Sequence, residues 1–189
     1  MISGRFLLIG VVVITENQLT QFSHSRRSWA ILGLTALALE ITALFFQYGL
    51  GLTPCVMCVY IRLAVFGIGV AALINIIYPV RTVRIVGGLL WLVSAGWGLQ
   101  IATELVAIQS DPSPFATCDF LPNFPSFMPL HDWFPAVLMP TGMCTDSVWS
   151  MLGLSMAQWM QVCFSLYLIA WVIMAKPLYR ANITSHHSD

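Results

Sequence analysis

The stretch Val59-Tyr-Ile-Arg-Leu-Ala-Val-Phe-Gly-Ile-Gly-Val-Ala-Ala-Leu-Ile-Asn-Ile-Ile-Tyr-Pro-Val80 decides the fold. Its only charged residue is Arg62. About 20 apolar residues suffice to cross a hydrocarbon core of ~30 Å as a helix, and backbone amides that lipid cannot satisfy force such a stretch to be helical. Three further stretches have the same character: 29–48, 85–108 and the shorter, uncharged 159–175. The whole chain agrees, with 58% of its 189 residues hydrophobic and only 8% charged. Soluble domains carry about 25% charge. So few charges cannot coat a water-soluble globule of this size. With no basic run beyond Arg26-Arg27, the chain also lacks a nucleic-acid-binding surface.

Working outward from the spans, the basic residues assign the faces. Arg5, Arg26 and Arg27 precede the first span, Arg81 and Arg84 separate the second from the third, and Lys176 and Arg180 follow the fourth. Segments 49–54 and 109–158 hold neither Lys nor Arg, but include Asp111, Asp119, Asp132 and Asp146. This positive-inside asymmetry predicts that both termini are cytoplasmic. Residues 1–25 are expected to form an N-terminal extension, cytoplasmic or interfacial. The transmembrane domain then covers 26–177, with outer loops at 49–58 and 109–158, and 178–189 form a cytoplasmic tail. The long loop holds seven of the ten prolines, which forbid extended helix early in it. Around Trp133, Phe134, Val137 and Leu138 a short amphipathic stretch can lie on the bilayer, and 145–158 offers a second.

Orientation gives the cysteines a compartment. Cys118 and Cys144 fall in the long outer loop, while Cys55 and Cys58 stand where the short outer loop enters the second span. All four therefore face the side where disulfides persist. Thr53-Pro54-Cys55-Val56-Met57-Cys58 reads as a helix start, with Thr53 as cap and Pro54 at the first helical position. Spacing of three puts both sulfurs on one face, within reach of each other, and the helix N-terminus favours a thiolate there. Arg62 lies one turn beyond Cys58 on that face. An intramembrane charge costs several kcal/mol unless it is partnered or snorkels, so Arg62 either serves the thiol chemistry or reaches for the interface.

A CxxC alone also fits a structural disulfide or half a metal site, and a bond between Cys118 and Cys144 could be purely structural. Two pairs on one face, one of them beside an arginine at the lipid boundary, favour thiol–disulfide relay. Glu40 and Glu104 are expected to be neutral acids hydrogen-bonded between helices, and Cys163 a packing residue. Trp91, Trp97, Trp159 and Trp171 read as interface anchors or packing, and His186 and His187 as solvated.

These residues resemble the DsbB family of quinone-linked, disulfide-generating membrane proteins. The resemblance is carried by Ala36-Leu-Ala-Leu-Glu40, Pro54-Cys-Val-Met-Cys-Val-Tyr60 with Arg62, and Pro112-Ser-Pro-Phe-Ala-Thr-Cys-Asp-Phe120. Pro129 to Trp133 and Gly142-Met-Cys144 add to it. It covers about 26–177. It implies an all-α membrane protein, a four-transmembrane-helix bundle whose long periplasmic loop holds a short membrane-lying helix, in a bacterial inner membrane. It further implies disulfides Cys55–Cys58 and Cys118–Cys144 and a DsbA-like thioredoxin-fold partner oxidised through Cys118. Cys58 would then face ubiquinone or menaquinone, with Arg62 supporting quinone reduction. Some relatives carry a histidine directly after the glutamate matching Glu104, whereas here that residue is Leu105, so no histidine contact is expected. No metal site is expected. The competing reading is a metal-binding or transport component with the outer cysteines as ligands, which should show polar groups or broken helices at mid-membrane.

Overall fold

A computed structural model of the chain describes residues 25–110, 122–124, 129–145 and 149–180. Four of its helices are long and apolar enough to cross a membrane. α1 (Arg26–Leu44) continues into a π-helical turn, Phe45–Gly49; α2 is Val56–Ile77 and α3 is Arg81–Ser110. Two single-turn helices, α4 (Leu130–Trp133) and α5 (Pro135–Leu138), occupy the long loop. A hairpin of β1 (Ser150–Met151) and β2 (Leu154–Ser155) then leads into α6 (Met156–Arg180).

Burial follows the logic of a bilayer. Large apolar side chains such as Leu34, Phe66, Val93 and Leu166 are exposed around the outside, where a soluble protein would place charge. The interior seams use small residues, including Ala36, Ala64, Ala71, Ala95 and Ala102, all at most 1% exposed. Small residues let helix backbones approach where lipid provides no hydrophobic drive to pack. α2 packs against α1 and α3, and α3 against α6. Between α6 and α1, the Tyr167 hydroxyl donates to Thr35 Oγ1 at 3.1 Å, and Thr35 in turn donates to the Leu32 carbonyl at 2.9 Å.

Gly98 marks a tight seam between α3 and α6. A Cβ there would stand 2.3 Å from the fully buried Phe164 ring, so α3 and α6 close only because position 98 has no side chain. Gly98→Val is expected to lower stability by about 1–3 kcal/mol through overpacking. Thermal unfolding in detergent checks this, and an unchanged midpoint would refute the tight seam.

Two local expectations fail. The second amphipathic stretch, expected over 145–158, is not helical over 149–155, because Leu152 (φ 55°) and Gly153 (φ 80°) form a two-residue turn that folds 150–155 into a hairpin; only its last three residues join α6. Positive φ at both central positions is what such tight hairpins demand, and Gly153 supplies one of them at no steric cost. The Trp159 indole donates to the Met151 carbonyl at 3.1 Å and ties the hairpin to α6. The second failure is at α2, whose N-cap is Cys55 (φ −82°, ψ 170°), not Thr53; Pro54 belongs to the extended approach.

Candidate redox site

At the end of the bundle that carries the long loop, the described residues gather around the first turn of α2. Cys55 caps it, its Sγ accepting the Cys58 amide at 3.3 Å, and the two sulfurs lie 2.7 Å apart as free thiols. Cys55 is 3% exposed and Cys58 partly buried. The hydrogen bond with Cys58, then burial, push the Cys55 thiol well above its ordinary value, so Cys55 keeps its proton at neutral pH.

The long loop is fastened to this helix tip at two points. Upstream, the Tyr60 hydroxyl accepts the Asn123 amide at 2.7 Å, and the Tyr60 ring meets Phe124 edge-on at 5.9 Å. Downstream, the Thr141 and Gly142 amides both donate to the Pro54 carbonyl, at 2.9 and 3.0 Å. Pro54 is committed to these bonds, which explains why the helix starts two residues later than expected. Two residues beyond Gly142, Cys144 is disulfide-bonded, 1% exposed and in the same buried cluster as Cys55. Cys118 lies outside the described residues.

Arg62 does not snorkel. It is 8% exposed, and its guanidinium donates to the Gln47 side chain, to the Val137 carbonyl at 3.0 Å and to the Ala43 carbonyl at 3.2 Å. Ala43 stands at the junction of α1 and its π turn, and Val137 belongs to α5. One arginine thus joins three segments, as its planar fork of donors allows. Gln47 and Tyr48 reinforce the junction by donating to the Ala136 carbonyl. Sequence reasoning missed this role for Gln47 and Tyr48, whose partner Ala136 lies far along the chain.

Between these parts is a cavity of about 130 Å³ lined by Glu40, Cys55, Cys58, Arg62, Leu105 and Gln109, among others. Phe46 and Trp149, whose rings are 4.9 Å apart, line it as well. Glu40 is within electrostatic reach of Arg62, and one of its carboxyl oxygens is buried without a hydrogen-bond partner. That differs from the expected interhelical bond. Glu104 differs too, being exposed on α3 and accepting from Gln100 of its own helix at 3.1 Å. Among the described residues no group of three or more His, Cys, Asp or Glu could hold a metal ion.

The family model described as "Disulfide bond formation protein DsbB" matches residues 25–174, which takes in the first three long helices, the loop after them and most of the fourth. The chain belongs to the DsbB family. Curated relatives agree with the family model over nearly their whole length. The "Disulfide bond formation protein B" of Shewanella frigidimarina (strain NCIMB 400) is 56% identical over 166 residues, 87% of this chain and 98% of the relative. Those of Shewanella sp. (strain W3-18-1) and Shewanella denitrificans are 56% and 48% identical, over 85% of this chain and 92% and 93% of the relatives. As a DsbB-family protein with four membrane-spanning helices, the chain is a membrane oxidoreductase of disulfide bond formation.

Proposed function

We propose that the protein reoxidises a DsbA-like, periplasmic thioredoxin-fold protein and passes the electrons through two cysteine pairs to ubiquinone or menaquinone in a bacterial inner membrane. The observation that carries this reading is the meeting, at one helix tip, of the Cys55/Cys58 pair, the buried Arg62 and the docked loop that bears Cys144. The partner's dithiol enters at Cys118–Cys144, Cys118 taking the mixed disulfide. Support for this pairing is that Cys144 is disulfide-bonded while Cys55, Cys58 and Cys163 are free. Once the loop pair is reduced, Cys144 thiolate attacks Cys55. The Cys144–Cys55 bond forms as Cys55–Cys58 breaks; Cys118 then attacks Cys144, restoring the loop disulfide and leaving Cys55 and Cys58 as thiols.

The cavity fits a quinone in its residues: apolar walls for a ring, Cys58 at its edge, and Arg62 to favour an anionic oxygen. A quinone supplies there a sink for two electrons and two protons. Arg62 balances negative charge at Cys58 and in the cavity. Glu40, with an unpartnered oxygen in the cavity wall, is placed to hold a proton that the thiols release. The long loop faces the periplasm, while residues 1–25 and 178–189 stay on the cytosolic side.

Purified protein mixed with a reduced thioredoxin-fold partner and ubiquinone is expected to deplete quinone absorbance, and Cys118→Ala is expected to stop it. A wild-type protein that binds zinc stoichiometrically and leaves quinone untouched would refute the reading. A membrane-impermeant maleimide applied to intact reduced cells is expected to modify Cys118, the proposed entry cysteine, from outside. Modification only after the cytosol is opened would reverse the orientation.

A further inference from the structure

We propose that Gly142 is a positioning residue for exchange between the two cysteine pairs: by lacking a side chain it lets the loop seat on the Pro54 carbonyl and delivers Cys144 to Cys55. The inference rests on the relay proposed above. Its basis is steric. A Cβ at position 142 would stand 2.5 Å from the Thr53 carbonyl oxygen, 2.7 Å from Thr53 Oγ1 and 3.1 Å from the Thr53 carbonyl carbon. Two of these three atoms are backbone, so no rotamer change relieves the contact. Conformation is not the reason for glycine here, since the positive-φ glycines among the described residues are Gly51 and Gly153.

What the close approach achieves is equally local. The Thr141 and Gly142 amides converge on one acceptor, the carbonyl of the residue directly before Cys55. Any side chain at 142 lifts both amides off Pro54. Cys144, two residues along, then leaves its buried position in the cluster that also holds Cys55. Disulfide exchange needs the attacking sulfur aligned with the bond it breaks, and a misplacement of ~1 Å can cost roughly 10²-fold in rate. The step itself conserves electrons: the loop dithiol becomes a disulfide as Cys55–Cys58 becomes a dithiol.

Full-length Gly142→Ala in nanodiscs, assayed with two reductants, tests the role. With a reduced thioredoxin-fold protein as donor, quinone reduction is expected to fall at least tenfold in kcat with the KM for the donor unchanged. Acid quenching and thiol alkylation should catch the loop pair reduced and Cys55–Cys58 still oxidised. With a small dithiol, whose route to Cys55–Cys58 is the cavity that both line and not the loop, the rate is expected to stay within twofold of wild type. Equal loss with both donors means a structural defect and overturns the role, as does no loss with either. Amide hydrogen exchange of the wild type gives a reading independent of the variant's folding: the Thr141 and Gly142 amides are expected to be protected, and exchange at free-peptide rates would overturn the latch. A wild-type protein inactive with both donors overturns the relay and this role with it; an active wild type matched by Gly142→Ala overturns only the role of Gly142.

Discussion

Cys58→Ala is expected to abolish quinone reduction, a loss of at least 10³-fold, while the protein still inserts and its loop pair still accepts electrons from a reduced thioredoxin-fold partner once. The two halves of the site predict this split. In the proposed relay the Cys118–Cys144 pair receives electrons in the loop, while among the described residues the cysteines that border the cavity are Cys55 and Cys58. Without Cys58 the inner disulfide cannot form, so equivalents stop in the loop. Following quinone absorbance and, separately, the redox state of the loop pair by alkylation checks both halves. Quinone turnover persisting in Cys58→Ala would move the exit point elsewhere.

Arg62→Ala carries the second-largest expected effect, about 10- to 100-fold in kcat/KM for quinone, equivalent to roughly 1.4–2.7 kcal/mol. Two losses combine. The cavity loses its cation beside Cys58, and three segments lose their common donor: Gln47, the α1 end at Ala43, and α5 at Val137. Arg62→Lys should recover part of the charge effect but little of the bridging, because an ammonium on a flexible stem is a point charge, not a rigid fork. Steady-state kinetics over a range of quinone concentration read the effect. Unchanged kinetics for Arg62→Ala would leave the arginine a structural brace alone.

The chemistry visible in the sequence is that which depends on neighbours along the chain. Hydropathy gives away the spans because lipid imposes its requirement on every residue of them. Cys55 and Cys58 announce themselves because three residues apart at a helix start is a local relation. Gln47 and Gly142 do not, since each matters only through a partner brought in from afar: Gln47 through Arg62 and Ala136, Gly142 through Thr53 and Pro54. Arg62 was legible as an unusual charge but not as a bridge, because the carbonyls it reaches belong to other segments. Thr53 looked like the better cap on propensity, and lost to Cys55 because the loop claims the Pro54 carbonyl and holds it out of the helix. The hairpin at 150–155 was hidden by an apolar run that suited an amphipathic helix, and Gly153 was its one local sign.

The proposed relay requires Cys144 and Cys55 to meet at the α2 cap. Full-length protein carrying Cys58→Ala and Cys118→Ala leaves each of these two sulfurs without its own partner. Peptide mapping of that variant under non-reducing conditions is predicted to find a Cys55–Cys144 disulfide as the main product. Recovery of both as free thiols after mild oxidation would contradict the relay at its centre.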